Sequence, residues 1–128
     1  EFWWQLRYAW QRAWRGYDFT DVFVLGYNFT AKMPVLLAEF LKNNVGLFYD
    51  AEADKQLDEE ETNAVIKEMI FYFENCDEGH VYQRLHQKRY YEDGKYDPEK
   101  WESVRVELER CRTEALRLFS KWCFRLWY

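Results

Sequence analysis

Apolar residues recur every three or four positions through most of the chain, the spacing that lines one face of an α-helix. The clearest run extends from Asp97 to Tyr128, where Asp97 suits a helix cap and Pro98 suits the first turn. Its apolar positions are Trp101, Val104, Leu108, Cys111, Ala115, Leu118, Trp122 and Leu126. A helix of about 30 residues is roughly 45 Å long, so we expect it to be the spine of a helical bundle.

Two helices are predicted in the first third of the chain. One runs from Phe2 to Arg15, and Gly16 is suited to end it in a left-handed conformation. Its apolar positions are Trp3, Leu6, Trp10 and Ala13, widened by Trp4, Tyr8 and Trp14. The other runs from about Phe19 to Asn43, and its Pro34 predicts a kink or a short break. Its expected core positions are Val22, Leu25, Phe29, Met33, Leu36, Leu37 and Phe40.

The middle of the chain predicts a loop that leads into a third helix. The loop, residues 47–54, opens with three apolar residues that we expect beneath the bundle, and its acidic continuation ends near Asp58. Asp58 and Glu61 have the spacing of a capping box at a helix start. The expected core positions that follow are Val65, Ile66, Met69, Ile70, Phe73 and Cys76. Residues 75–79 are a weak point, after which helix is expected through His80 to Tyr91.

Together these elements predict an all-α fold, a single bundle of about four helices that forms one domain over residues 1–128. The 128 residues are 48% hydrophobic, enough for a substantial core. No apolar run approaches the ~20 residues of a membrane span, and no signal peptide is visible. Three cysteines without CxxC spacing, Cys76, Cys111 and Cys123, favour reduced thiols in a cytoplasm.

The aromatic content changes this picture, because 21% of the residues are Phe, Trp or Tyr. So many rings exceed what a small core commonly holds, and rings on a surface favour binding or self-association. A core packed with aromatic residues is the alternative. The formal charge of −5 argues against a protein that coats duplex nucleic acid through bulk positive charge, although it allows a local basic patch.

The run from Arg12 to Pro34 reads RAWRGYDFTDVFVLGYNFTAKMP. It resembles a widespread family of small uncharacterised phage and prophage proteins. In that family the first helix ends at the R-G of an R-G-x-[SD]-x-x-D junction, and a second helix follows. The matching positions are Arg15, Gly16, Asp18, Asp21, Phe23, Leu25, Tyr27 and Phe29. Gly26 departs from the pattern, which usually has an acidic residue there. The resemblance implies a viral accessory protein made in a bacterial host cytoplasm and brings no activity with it.

Two segments are candidates for a binding site. In an up-down-up-down bundle the first and last helices run antiparallel, so their aromatic ends should meet, rimmed by cations as in a protein-binding hot spot. The candidate protein-binding residues are Trp3, Trp4, Arg7, Trp122, Arg125, Trp127 and Tyr128. Alternatively, these rings close the core.

The second candidate is the segment from Gly79 to Tyr91, where basic residues alternate with rings as they do on surfaces that contact phosphates and stack on bases. Its candidate nucleic-acid-binding residues are Tyr82, Arg84, Lys88, Arg89, Tyr90 and Tyr91. The alternative is a helix end whose cations suit its C-terminus and whose side-chain stems cover the core.

Catalytic, metal and cofactor sites are not predicted. Cys76, His80 and His86 offer too few ligands for a tetrahedral zinc site, and the carboxylates near His80 have no nucleophile motif beside them. The acidic run from Asp50 to Glu61 could bind a basic partner or a cation, but it lacks the glycine and the spacing of a calcium loop, and a solvated loop that leads into a helix N-terminus is the favoured interpretation. We therefore expect a phage accessory protein that binds a host or viral protein, with inhibition of a bacterial defence or transcription system as one role. Nucleic-acid binding comes second and an enzyme third. Self-association is allowed and no membrane partner is expected.

Overall fold

The computed structural model describes residues 2–15, 25–43 and 46–126, and these residues are predominantly helical. Their helices are α1 (Phe2–Arg15), α2 (Leu25–Asn43), α3 (Glu59–Glu74), α4 (Glu78–His86) and α5 (Pro98–Trp122). Two short strands, β1 (Tyr49–Asp50) and β2 (Lys55–Gln56), form an antiparallel hairpin. The predicted all-α fold is confirmed. The chain divides into two compact units, Glu1–Thr30 and Ala31–Tyr128, and the second is called the body below.

The first two helices partly follow the prediction. The bounds of α1 are those expected, whereas the predicted stop at Gly16 and the start of the second helix near Phe19 lie outside the described residues, as does Val22. Helix α2 continues through Pro34, so the short break considered there is absent from it. Its buried residues are Met33, Leu37 and Phe40, while Phe29 is half-buried.

Two residues expected in the core of α2 are exposed instead. Leu25 and Leu36 lie to one side of the narrow arc that the buried residues of this helix share. A three-and-four spacing defines the middle of a stripe better than its edges, because a residue at the edge is covered only if the neighbouring element is wide enough.

The core of the body forms around α5, which packs against both α3 and α4. The spine helix is confirmed, because six of the eight predicted positions are buried and Trp101 and Leu126 are half-buried. Helix α3 contributes Ile66, Met69 and Phe73, with Thr62 and Cys76 also buried and Val65 and Ile70 half-buried. Each fully buried side chain of this size contributes about 1.5 to 3 kcal/mol.

Aspartate side chains mark the helix starts in the body. The capping box of α3 is confirmed, since the Glu61 N–H donates to Asp58 Oδ1 at 2.7 Å and the Asp58 N–H donates to Glu61 Oε1 at 3.3 Å. The Asp77 carboxylate accepts the His80 N–H at 2.9 Å and begins α4, which explains the weak point before it. Asp97 accepts the Glu99 N–H at 3.0 Å and begins α5.

Two helices end earlier than the sequence predicted. Helix α4 stops at His86 because Gln87 adopts a left-handed conformation with φ of 55°, and a 3₁₀ turn follows over Tyr90–Glu92. Helix α5 stops at Trp122 and tightens into a 3₁₀ turn over Cys123–Arg125, as helix ends often do. Hydrophobic periodicity carries no signal for either change, because the left-handed turn at Gln87 is a local backbone event and the 3₁₀ turn after α5 keeps the chain near helical geometry.

The hairpin replaces part of the predicted loop. The Asp50 carboxylate accepts the N–H groups of Glu52 and Ala53, which folds the acidic residues into a tight turn between β1 and β2. Phe48 precedes the hairpin and is buried as expected, with its ring 5.5 Å from that of Trp122; Tyr49 is half-buried and Leu47 is exposed. None of the helices among the described residues combines the length and the apolar composition that crossing a bilayer requires.

Candidate binding surfaces

Tyr82, the first aromatic residue of the predicted nucleic-acid site, lies in the core. Its side chain is 2% exposed and its ring packs 5.1 Å from that of Trp101. The phenol donates a hydrogen bond to the Asp93 carboxylate, which together with burial raises the pKa of Tyr82 to about 12. This ring is therefore unavailable for stacking on a base, and the inclusion of Tyr82 in the surface was wrong.

Arg84 is held by three neighbours from other parts of the body. Its Nε–H donates to Asn75 Oδ1 at 2.7 Å, its Nη2 lies 2.9 Å from Glu107 Oε2, and its guanidinium lies over the ring of Phe71. Glu107 also accepts from Arg110 Nε at 2.5 Å. The hydrogen bonds from Arg110 and Arg84 lower the pKa of Glu107 to about 2. Arg84 thus connects α3, α4 and α5 and is largely committed to the fold.

The rest of the basic segment does not form one continuous patch. Lys88 Nζ lies 3.6 Å from Asp93, and Lys100 Nζ lies 3.2 Å from the same carboxylate. Hydrogen bonds from Tyr82 and Lys100 lower the pKa of Asp93. Arg89 donates to the Tyr91 hydroxyl at 2.6 Å, and both side chains are exposed, as is Tyr90. Only the end of the segment therefore offers rings and a cation at the surface.

The candidate residues from the aromatic end of α5 divide between core and surface. Trp122 is 4% exposed, stacked on Phe48 with Lys121 Nζ 5.0 Å from its ring centre, so it belongs to the core and its place in the binding surface was wrong. Arg125 is exposed on the 3₁₀ turn after α5. Trp127 and Tyr128 lie outside the described residues. The predicted meeting of these residues with Trp3 and Trp4 stays a prediction, because the two groups belong to separate units.

Helix α1 presents a continuous apolar face. At 100° per residue its large apolar side chains fall, with Ala9 and Ala13, in an arc of about 140°. The large residues of this face are Phe2, Trp3, Leu6, Trp10 and Trp14. Their exposed fractions lie between 47 and 80%, and the rings of Trp10 and Trp14 stack 6.2 Å apart and nearly parallel. Of the five large residues of this face, the list of candidate protein-binding residues included only Trp3. The same helical spacing relates all five.

The opposite side of α1 is cationic. Arg7 lies at the edge of the apolar face, with its guanidinium 5.6 Å from the centre of the Trp4 ring. Arg12 and Gln11 lie further around, and Trp4 shares this side although it is 56% exposed. Arg7, Trp3 and Trp4 are thus all on α1, but Trp4 lies about 100° around the helix from Trp3 and outside the apolar face. No acidic residue occurs between Phe2 and Arg15.

The histidines, cysteines and acidic run serve mainly local structure. Cys76 is buried, and burial raises its pKa, while His80 is exposed and His86 packs beside Tyr82. Lys121 Nζ lies 3.5 Å from Asp50, the first residue of the acidic run. Within residues 2–15, 25–43 and 46–126, no three His, Cys, Asp or Glu side chains come together in a way that would hold a metal ion.

Comparison with known proteins gives no assignment for these surfaces. No protein-family model, no curated protein and no solved structure matches the chain. The resemblance to phage proteins at the junction after α1 therefore stays a prediction, and the geometry of the described residues is what a functional proposal has to rest on.

Proposed function

We propose that this protein works by binding and that α1 is its contact element. The observation that supports the proposal is the exposed apolar face of this 14-residue helix, on which three tryptophans, a phenylalanine and a leucine lie side by side. Isolated exposed apolar side chains are ordinary, whereas a contiguous patch marks an interaction site. The resemblance to phage proteins supports an accessory, non-enzymatic role in a bacterial cell.

The basic segment supports a nucleic-acid function less well. Tyr82 is in the core, Arg84 is paired with Glu107, and Lys88 faces Asp93. A surface that binds phosphates needs cations that are available to them. In this segment, Arg84 and Lys88 are instead paired with neighbouring carboxylates. The α1 face is thus the stronger candidate.

A photo-crosslinking experiment in expressing cells tests the proposal. The photoreactive residue p-benzoylphenylalanine replaces Trp10 in one variant of the full chain and Tyr96, an exposed ring of the body, in the matched control. We expect adducts from position 10 that an excess of the unmodified chain suppresses, and only background from position 96. Absence of adducts at position 10 to both protein and membrane lipid, or equal adducts at both positions, would overturn the proposal.

A further inference from the structure

The charge of α1 is opposite to that of the chain that contains it. Arg7, Arg12 and Arg15 give the segment 2–15 a formal charge of +3, whereas the whole chain carries −5. All 23 acidic residues of the chain lie outside the segment 2–15. A helix with this formal charge is complementary to an anionic surface.

The apolar face and the arginines are arranged as in helices that lie in the interfacial region of a bilayer. Such helices place Trp, Phe and Leu on one side and cationic residues on the other, with little net hydrophobicity. Helix α1 is about 21 Å long, too short to cross a bilayer and suited to lie along its surface. Tryptophan favours this region because its ring is apolar and its N–H is polar.

The distribution of the rings favours a bilayer over a protein as the occupant. A protein hot spot concentrates a few anchors at the centre of an interface and surrounds them with polar contacts. On α1 the rings of Trp3, Trp10 and Trp14 extend over about 16 Å of helix axis, most of its length. A uniform apolar strip matches a planar, fluid surface better than it matches a shaped pocket.

We propose that α1 binds the surface of an anionic lipid bilayer, with its apolar face in the acyl boundary and its arginines at the lipid phosphates. This inference rests on the binding function proposed above and names its partner. It departs from the expectation of no membrane partner. That expectation was drawn from the lack of a spanning segment, and an interfacial helix needs no such segment.

Vesicle binding by the full chain tests the inference. The probes are vesicles of phosphatidylglycerol and phosphatidylcholine in equal amounts, compared with phosphatidylcholine alone, and binding is measured by co-sedimentation and by tryptophan emission. The test variant combines Trp3→Ala, Trp10→Ala and Trp14→Ala. The matched control is Trp4→Ala, which removes an exposed tryptophan from the opposite side of the same helix. A second variant, Arg7→Gln with Arg12→Gln, removes charge and leaves the apolar face intact.

We expect the unmodified chain to bind the anionic vesicles with a shift of tryptophan emission to shorter wavelength. The triple variant should lose roughly tenfold or more in partitioning, while Trp4→Ala loses about twofold or less. The arginine variant should lose about fivefold per arginine on anionic vesicles and little on neutral ones. Circular dichroism checks that every variant keeps its helix content.

Two outcomes would overturn the inference: no binding of the unmodified chain to anionic vesicles, or equal losses in the triple variant and in Trp4→Ala. If vesicle binding is absent while position 10 still cross-links specifically to a protein, the bilayer is excluded and the binding function stands. If neither partner is found, both proposals fail.

Discussion

Helix α1 and the segment around α4 are made of similar residues and behave differently. Both mix arginines with large aromatic rings. In the body, Tyr82 is buried and Arg84 is paired, whereas on α1 the rings are exposed and Arg7 lies over a ring of its own helix. The difference is the supply of carboxylates, because Asp93 and Glu107 face the body's cations and α1 contains none.

In the body, carboxylates on other segments therefore hold Arg84 and Lys88 in place. A carboxylate that pairs with a cation allows it to approach the core, and the neighbouring ring is then buried with it. Composition alone does not distinguish the two cases.

The sharpest test of this comparison is the same substitution in each region. Trp122→Ala should lower the free energy of unfolding by about 3 to 5 kcal/mol, because it leaves a cavity beside Phe48. Trp10→Ala should change it by about half a kcal/mol or less, because the side chain is exposed. Urea unfolding followed by circular dichroism measures both. Similar losses in the two variants would show that the face of α1 is covered in the folded chain.

The next largest effect is expected in the spine helix. Leu108 is buried against Val81, Tyr82 and Val104, so Leu108→Ala should cost about 2 to 5 kcal/mol. Val106 lies on the same helix and is exposed, which makes Val106→Ala the control, with an expected change of about half a kcal/mol. A loss below half a kcal/mol for Leu108→Ala, measured in urea, would mean that α5 is rotated from the described position.

A substitution at Glu107 tests whether this carboxylate holds Arg84 and Arg110 in place. Its pKa is lowered from a usual value of about 4.3 to about 2. The ionised carboxylate therefore stabilises the folded chain fully above pH ~4.3, and this contribution is lost as the pH falls through about 2. Glu107→Gln should cost about 1 to 3 kcal/mol near pH 6, and the difference from the unmodified chain should shrink towards pH 2.

The control for this change is Glu102→Gln, which removes an exposed carboxylate paired with Arg105 one turn along the same helix. Its effect should be much smaller, because water screens an exposed pair. Equal effects of the two substitutions across the pH range, measured by urea unfolding, would contradict the role given to Glu107.

The smallest effect concerns the phenol of Tyr82 at alkaline pH. Its pKa is raised to about 12, so the stabilisation is complete below the usual value of about 10 and is lost as the pH rises through about 12. Tyr82→Phe should lower the urea midpoint at pH 8 more than the exposed control Tyr96→Phe does. The gap between the Phe variant and the unmodified chain should close above pH 11. A difference in urea midpoint that stays the same at all pH values would show that the Tyr82–Asp93 hydrogen bond does not stabilise the folded chain.

The parts of the fold that the sequence predicted depend on short-range patterns. The bounds of α1, the capping box at Asp58 and the buried positions of α5 follow from residues three or four apart. Such patterns are set by helix geometry and need no knowledge of the rest of the chain.

The parts that were missed depend on partners far apart in the sequence. Tyr82 packs against Trp101 and donates its hydroxyl to Asp93, and Arg84 pairs with Glu107 on another helix. Trp10 and Trp122 occupy equally regular stripes, yet only Trp122 is covered. Periodicity shows that a helix has an apolar face and does not show what lies against it.

Arg84 has a consequence for how this body tolerates change. One guanidinium donates to Asn75, pairs with Glu107 and covers Phe71, and a lysine ammonium has neither the planar fork nor the flat face that these contacts use. Substitution of Arg84 by lysine is therefore not conservative, whereas the more exposed contacts of Lys88 with Asp93 and of Arg89 with Tyr91 should tolerate a change of cation better. A relative that keeps this arrangement should therefore keep arginine at 84, asparagine at 75 and glutamate at 107 together.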